Sequence, residues 1–342
     1  MIEPSSTETM HCRLIVLLVI VVLRSLVPLP SLAAPTVADL AAEVGLTPET
    51  LAQVEQGEIV ETTPTDRSDR ELAIGMVFLV RAPVTRAVQA FQHANDLKTD
   101  PHLIALHELS GAGTLADFQD LRLAPHGSAE AERYLHATPG ETLNLSTAEI
   151  AAFRALGAVG QPEVEAQLRA MLLARYQAYR TQGLDGTAPY DRGDGVRRSL
   201  AEELRRHSAA KILGKHSPAF RDVLLHYPAT RPAGLEERFF WLVYDLDDRP
   251  TLTLRHRMAL PMGDAFVVAD REFYVSQGYN AVQAHAALLP AKDGTMVFYV
   301  TRTSTDRASG FGASAKHAIG RRMMTQEIQS TFNRMRAAFA TH

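Results

Sequence analysis

The chain of 342 residues is 46% hydrophobic and 22% charged, a globular composition long enough for one large domain with an insertion or for two smaller domains. Its 35 basic and 39 acidic residues give a net charge of −4, and no segment concentrates lysine and arginine into a stripe that would neutralise many phosphates. This balance argues against a nucleic-acid partner.

The N-terminus has the layout of a signal peptide. Arg13 precedes the ten apolar residues Leu14 to Leu23, a run too short to span a bilayer. Ser31 and Ala33 then supply small side chains at the positions that a signal peptidase recognises. We therefore expect residues 1–33 to be removed by cleavage near Ala33, which makes the protein periplasmic or secreted. The alternative is a retained N-terminal anchor.

Two further features of the N-terminus bear on export. Glu3 and Glu8 do not suit the basic start of a signal peptide, whereas the segment from Met10 does, so translation starts at either Met1 or Met10. The sole cysteine, Cys12, lies ahead of the apolar run. The exported chain would then have no thiol, which excludes disulfides, thiolate metal sites and cysteine nucleophiles.

Residues 34–70 predict a lead-in of short helices, the second of which begins at Pro48. A strand is predicted over 71–81, followed by a helix that opens after Pro83. A second strand is predicted over 102–109.

A helical block is predicted over residues 143–227. Ser146 and Glu149 form a capping box at its first helix. Three further helices are expected: one from Pro162, one over 196–213 that stops at Gly214, and one from Pro218. The glycine-rich segment 183–195 predicts a mobile loop between the second and third helices.

The last third of the chain predicts a sheet followed by one long helix. Five strands with short turns are expected, at residues 238–245, 251–259, 265–276, 279–288 and 295–302. The helix over 313–339 carries apolar residues on one side: Met324, Ile328, Phe332, Met335 and Phe339. We therefore predict an α+β fold in which a curved antiparallel sheet packs on the C-terminal helix, as one domain over 71–342 with its helical insertion at 143–227.

This order of elements resembles the START-related superfamily, the helix-grip and polyketide-cyclase-like proteins. The resemblance rests on the strand and helix over 71–94, the strand meander over 238–302 and the helix over 313–339. It implies a hydrophobic tunnel between sheet and helix that holds a lipid, a sterol or another apolar small molecule. The chain departs from the pattern in its long helical block. It is also similar to uncharacterised exported bacterial proteins.

The candidate ligand-binding residues lie on the predicted strands, at the corner after them and on the last helix: Trp241, His256, Glu272, Tyr274, Tyr279, Tyr299, Arg302, Asp306, Met324 and Ile328. His256 lies on the apolar face of its predicted strand, opposite a polar face. It is either a hydrogen-bonded core histidine or a polar point inside a cavity. Arg302 and Asp306 are expected to pair. That pair is either a salt-bridged junction or a cavity rim at which Arg302 binds a ligand headgroup.

The chemistry of the sequence favours binding over catalysis. It contains no nucleophile elbow, phosphate-binding loop or metal-ligand spacing, so we expect no metal and no cofactor. Asp270, Glu272 and Tyr274 alternate along one strand, and neighbouring carboxylates there would raise one pKa, although a solvated outer face explains the same pattern. With His256, Asp270 and Glu272 are the catalytic candidates.

Three functional hypotheses follow. The leading one is an exported protein that binds an apolar small molecule or lipid, with the helical block as a lid or a membrane-docking surface. The second is a cyclase- or hydrolase-like enzyme on the same scaffold. The third is a structural partner in envelope assembly that uses the helices as its interaction surface.

Overall fold

The computed structural model describes residues 34–124, 126–246, 248–308 and 313–340. It has an α+β fold, in which a large antiparallel sheet packs on a long C-terminal helix, as the sequence predicts. The predicted signal peptide, residues 1–33, lies outside the described residues. Within these residues, no helix is both long and apolar enough to cross a membrane.

The main sheet has eight antiparallel strands in the order β1-β2-β10-β9-β8-β7-β6-β3. Two further strands, β4 and β5, form a separate hairpin. The strands are β1 Val60–Thr62, β2 Glu71–Val80, β3 Leu103–Leu109, β4 Tyr190–Gly193, β5 Val196–Arg198, β6 Glu236–Leu246, β7 Arg249–Met262, β8 Ala265–Val275, β9 Ala281–Ala291 and β10 Gly294–Ser304. The last strand, β10, pairs with β2, so the first long strand of the chain borders the last one.

Ten helices are described: α1 Val37–Glu43, α2 Pro48–Gln56, α3 Val84–Gln92, α4 Gly127–Leu135, α5 Thr147–Ala155, α6 Gln161–Gln182, α7 Leu200–Ser208, α8 Lys211–His216, α9 Pro218–His226 and α10 Ala313–Ala340. The predicted capping box of α5 is confirmed, because the Ser146 hydroxyl accepts from the Glu149 amide while the Glu149 carboxylate accepts from the Ser146 amide. Both groups would otherwise be unpaired at the helix start.

Helices cover both faces of the sheet. We call the face under α3 and α10 the cavity face; its core includes Met76, Phe78 and Val297, against which the apolar side of α10 packs. We call the opposite one the outer face. Helices α4 to α7 pack on one part of it and α9 on another, while α1 and α2 cover the part formed by β2 and β10. The strands are therefore buried on both sides, which explains their nearly continuous burial.

The segment between β3 and β6 differs from the prediction in three places. The helical block begins before residue 143, because α4 precedes that position. The expected loop over 183–195 contains β4 and the turn to β5, where Asp194 and Gly195 both have positive φ. The expected helix over 196–213 is present only in its middle part: β5 occupies its start, α7 covers Leu200–Ser208, and a separate helix, α8, continues through Gly214. An Asp-Gly pair favours a hairpin turn, and this local signal outweighs the helical pattern.

Candidate functional site

A cavity of about 400 Å³ lies between the cavity face and α10. α10 contributes Ile328, Phe332, Met335 and Phe339 to its wall, and α3 contributes Ala87 and Phe91. The remaining wall comes from strands β2 and β6 to β10, from Tyr279 between β8 and β9, and from the segment that links α3 to β3. This volume lies in the range of small-molecule sites, roughly 300–1,000 Å³.

The α10 side of the cavity is apolar and aromatic. The Phe332 ring lies 4.2 Å from the Phe78 ring and meets the Tyr299 ring edge-on at 4.8 Å. Farther along α10, the Arg86 guanidinium of α3 lies 5.5 Å from the Phe339 ring. These contacts bring α10 and α3 together over the cavity, so the helix covers the cavity without filling it.

The sheet side of the cavity carries buried charges. The β7–β8 register places Arg255 opposite Glu272 and Arg257 opposite Asp270. Arg255 lies 3.2 Å from the Asp270 carboxylate and 2.5 Å from that of Glu272. The Tyr279 hydroxyl donates to the second Glu272 oxygen at 2.7 Å. Two carboxylates from one strand thus hold one guanidinium against the wall of an apolar space.

Arg257 joins this cluster to Asp96, in the segment before β3. Its guanidinium makes two bonds to the Asp96 carboxylate, at 2.7 and 2.9 Å, and a further bond to Asp270 at 3.0 Å. It also lies over the Phe91 ring at 4.5 Å. Because Arg257 is almost fully buried, its charge depends on these carboxylates.

The pKa values of the two carboxyl groups on β8, Asp270 and Glu272, are shifted in opposite directions. Burial raises the pKa of Asp270, but Arg257 and Arg255 outweigh it and the net pKa is lowered. Burial dominates at Glu272 and raises its pKa, against Arg255 and the hydrogen bond from Tyr279. Burial, followed by the neighbouring Glu272, raises the pKa of Tyr279 well above its usual value of 10. Asp270 is therefore the more firmly ionised of the two acids.

Two polar atoms of this cluster remain without hydrogen-bond partners among the described residues. They are the Arg255 Nε atom and the Asp270 Oδ1 atom, both buried. A buried polar atom without a partner is costly. Both atoms are inaccessible to a water-sized probe, so they lie behind the surface of the cavity and not on it.

Several predicted site residues do line the cavity. Asp270, Glu272, Tyr279, Tyr299 and Ile328 all contribute to its wall. Met324 packs into the same apolar cluster one helical turn before Ile328, but it does not line the space.

Trp241 and His256 do not line the cavity, and this part of the prediction is corrected. Both belong to the outer face. The Trp241 indole donates to the Asp117 carbonyl at 2.7 Å. His256 Nδ1 lies 3.0 Å from the Tyr179 hydroxyl, and its ring stacks on Phe239 at 4.1 Å. The apolar side of β7 faces the insertion, so the alternation was right and the assignment of the cavity to that side was wrong.

The environment of His256 is that of a buried neutral imidazole. Its side chain is fully buried, and Glu237 is the acid beside it, 3.6 Å from its Nε2. Burial lowers the pKa of His256 to about 4, although Glu237 acts in the opposite direction. The hydrogen-bonded core histidine is therefore the correct one of the two interpretations.

Tyr274 lies on the outer face because β8 contains a β-bulge. Leu254 pairs with Tyr274 while Arg255 pairs with Glu272, so Phe273 has no partner on β7. Phe273 and Tyr274 both enter the outer core. The extra residue reverses the alternation, so Tyr274 does not share a face with Glu272 as the period of two predicts.

Arg302 and Asp306 do not pair with each other. Arg302 faces the outer side and binds Glu71 and the Thr65 carbonyl. Asp306 binds Arg192 at 3.1 Å and Arg198 at 2.6 Å, which ties the β4–β5 hairpin to the end of β10. The junction is salt-bridged as expected, but with other partners, and neither residue lines the cavity.

Sequence reasoning missed residues that the structure places in the cavity wall: Phe91, Asp96, Asp100, Tyr244, Asp245, Arg255 and Phe332. The signal for Arg255 was present. A hairpin that turns at Gly263 brings Arg255 opposite Glu272, and such opposite charges support each other across a buried pair. The acids before β3 and at the end of β6 had no local signal, because these segments meet only when the two strands pair.

No family model matches the sequence, and no curated protein matches it either. Among solved structures, the crystal structure of Ara h 8.0201 is similar to this chain at 10% identity and a TM-score of 0.22. The match covers 41% of this chain and 89% of that one. Likeness at this level supports no functional conclusion, so the fold rests on the strand order and on α10. Within the described residues, no group of three or more histidine, cysteine or acidic side chains is placed to hold a metal ion.

Proposed function

We propose that this protein binds an apolar small molecule, such as a lipid or sterol, in the cavity between the sheet and α10. The observation that carries the proposal is an apolar space of about 400 Å³ under α10, bordered on its sheet side by the charged cluster around Arg255. At about 30 Å³ for each water, the space equals roughly thirteen water volumes. It accommodates a ligand of about a dozen non-hydrogen atoms, or the buried part of a larger one.

The helical insertion has a different place in this proposal from the one that the sequence suggested. All the residues that line the cavity lie outside residues 110–235. The insertion packs on the outer face, so it is not a lid over this cavity. The covering elements are α3 and α10.

The experiment compares the wild type with a filled-cavity variant. Ala286 of β9 is buried and lines the space, so Ala286→Phe should fill part of it. Ala170→Phe makes the same change at an exposed position of α6. We expect mass spectrometry of organic extracts to find a co-purified apolar molecule with wild type and Ala170→Phe, and much less with Ala286→Phe. Circular dichroism checks that both variants fold. Equal amounts with all three proteins, or nothing with the wild type, would refute the proposal.

Export belongs to the same proposal. The signal-peptide layout of residues 1–33 supports a periplasmic or secreted location. Expression of the full chain in a secreting host, followed by intact mass measurement, is expected to give a product that begins at Ala34. A product that retains Met1 or Met10 in the soluble cell fraction would contradict export.

A second candidate function is acid–base catalysis in the same cavity. It is favoured by the raised pKa of Glu272, which brings a carboxyl group closer to the range in which it can exchange protons. Arg255 and Tyr279 bind both oxygens of Glu272, so proton transfer requires one of these bonds to open. Glu272→Gln separates the two functions, because a binding protein keeps its ligand in this variant, whereas an enzyme keeps its ligand and loses turnover.

A further inference from the structure

The insertion between β3 and β6, residues 110–235, is attached to the sheet at one place. β3 and β6 are neighbouring strands, and Leu109 pairs with Phe239, so the chain leaves the sheet and returns to it at adjacent positions. The insertion packs on the outer face through aromatic contacts such as the stack of Tyr179 on Phe273 at 4.1 Å. Every strand of the main sheet lies outside residues 110–235. The insertion could therefore separate from this face without breaking a strand pair of that sheet.

Two buried histidines lie where the insertion meets the sheet. His256 of β7 and His207 of α7 are both fully buried. The His256 Nδ1 atom lies 3.0 Å from the Tyr179 hydroxyl of α6. The His207 Nε2 atom lies 2.9 Å from the Ser304 hydroxyl of β10. Each ring thus hydrogen-bonds across the contact, one from the sheet side and one from the insertion side.

The direction of the hydrogen bonds makes His256 neutral. Arg271 of β8 donates to the Tyr179 oxygen at 3.2 Å. Because a guanidinium can only donate, the Tyr179 oxygen accepts this bond, and its own hydrogen points to His256 Nδ1. Nδ1 is then an acceptor, and the ring carries its hydrogen on Nε2. A proton added to Nδ1 would turn this acceptor into a donor and break the bond.

The same reasoning makes His207 neutral. The Ser304 hydroxyl donates its hydrogen to the Glu203 carboxylate at 2.8 Å, so its oxygen accepts from His207 Nε2. The other ring nitrogen, Nδ1, is buried and has no hydrogen-bond partner within the described part of the chain. A proton added there would be a buried donor without an acceptor, which is costly.

The charged groups around His256 are mostly positive. Those that face it from the neighbouring elements are Arg180 of α6, Glu237 of β6 and Arg271 of β8, together with the titratable hydroxyls of Tyr179 and Tyr227. Glu237 already binds Arg180 at 3.3 Å and Arg231 at 2.8 Å. A protonated His256 would therefore place a fourth positive charge around one carboxylate.

Positive charges are also in excess around His207. The groups that face it are Glu203 and Arg206 of α7, Glu71 of β2, His285 of β9, Arg302 of β10, and Arg67 in the segment before β2. Glu71 binds Arg302, and Glu203 binds Arg206 at 2.6 Å. A protonated His207 would place a fourth positive charge around two carboxylates.

Protons therefore bind more tightly once the insertion has left the sheet. Burial lowers the pKa of His256 to about 4, although Glu237 acts in the opposite direction. Burial, followed by Arg302 and Arg206, lowers the pKa of His207 well below 6.5. Water reaches both rings in the detached state, so each pKa returns towards 6.5. The population of the detached state then rises as the pH falls below 6.5.

We infer that the insertion is an acid-sensitive flap: protonation of His207 and His256 releases residues 110–235 from the outer face, while the sheet and α10 stay folded. The cavity face has its own apolar core with α3 and α10, separate from the core under the insertion. Release exposes aromatic side chains of the outer face, among them Phe239 and Phe273. This device goes beyond the proposed binding function and does not depend on it, because the insertion contributes no residue to the cavity wall.

Hydrogen exchange of the purified protein at pH 7 and pH 5 tests the inference. Helices that have left the sheet lose their protection, because isolated helices are marginal in water. Mass spectrometry of peptides gives an opening constant for each element after correction for the intrinsic exchange rate. We expect α6 and α7 to share one opening constant, larger than that of β2 and with a weaker dependence on urea. Between pH 7 and pH 5 it should rise at least about 20-fold, the factor for His256 alone with a pKa of 6.5 when exposed and about 4 when buried.

Histidine variants test the trigger. His256→Gln should make the rise in the opening constant of α6 and α7 about 20-fold smaller than in the wild type, because glutamine takes up no proton. His207→Gln should also make the rise smaller. His126→Gln is the matched control, because His126 is exposed, and it should behave as the wild type does. Circular dichroism at pH 7 checks that each variant folds.

Two outcomes would overturn the inference. If α6, α7 and β2 share one opening constant and one dependence on urea at both pH values, the insertion leaves only when the whole protein unfolds. If α6 and α7 open separately but with the wild-type pH dependence in both His207→Gln and His256→Gln, the two histidines are not the trigger. Neither outcome alters the ligand extraction with Ala286→Phe, so the binding function is judged separately.

Discussion

Replacement of His256 by glutamine should flatten the dependence of protein stability on pH. His256 is fully buried between β7 and the insertion, and burial holds its pKa at about 4, below the usual 6.5. The unfolded chain therefore binds a proton at His256 before the folded protein does. Neutral His256 contributes fully to stability above pH 6.5, and this contribution is lost as the pH falls towards about 4.

The magnitude follows from the width of that window. One pKa unit corresponds to about 1.4 kcal/mol, so a shift from 6.5 to about 4 is worth roughly 3 kcal/mol. The buried His207 and His285, whose pKa values burial also lowers, destabilise the wild type in the same direction. The variant retains both, so the difference between the two proteins isolates His256.

The assay is urea unfolding followed by circular dichroism at pH 7 and pH 4. We expect the wild type to lose about 3 kcal/mol more of its free energy of unfolding over this interval than His256→Gln does. His126→Gln, at an exposed position, should follow the wild type. Parallel pH profiles for the wild type and His256→Gln would refute the account of His256 as a buried neutral imidazole.

Three further changes have clear expected outcomes. Arg257→Met should lower the free energy of unfolding by about 3–5 kcal/mol, because it leaves Asp96 and Asp270 without their shared partner. Gly183→Ala should cost about 3–4 kcal/mol, since Gly183 has φ +60° and an added Cβ would collide with the Tyr227 carbonyl. Phe332→Ala should cost about 2 kcal/mol, below the value for a fully buried phenylalanine, because Phe332 is half-buried. Urea unfolding measures each loss.

Matched variants separate these effects from general sensitivity to mutation. Gly45→Ala places a Cβ at another positive φ with no atom within 4 Å, so it should cost only roughly 1 kcal/mol. Met323→Ala shortens a side chain on α10 that is 66% exposed and should change stability by less than about 0.5 kcal/mol. Similar losses in each matched pair would contradict the packing described here.

Local patterns in the sequence were sufficient to predict the sheet and the C-terminal helix. The five strands from β6 to β10 and the helix α10 lie where alternation and helical spacing predict them. The capping box of α5 is confirmed for the same reason. Each signal comes from residues a few positions apart, whose side chains meet within one element or across one short turn.

The location of the site depended on contacts between distant residues. Alternation along β7 separated its two faces correctly, but it could not show that the insertion covers the apolar one. Alternation along β7 therefore favours His256 over Arg255 as a cavity residue, whereas Trp241 lies on β6, whose sequence is apolar on both faces and does not distinguish them. At β8, a single extra residue moved Tyr274 to the opposite face, and a bulge of this kind has no reliable mark in the sequence.

The sequence by itself thus determined the strands β6 to β10, the helix α10 and, except at the bulge of β8, which side chains share a face. Only the tertiary structure decided which face borders the cavity, and it did so through an insertion that packs on the other side. It also brought Asp100, in the segment before β3, and Asp245, at the end of β6, to the backbone of the same residue, His102. Cavities and charge clusters arise between elements, so their positions depend on packing that no local pattern encodes.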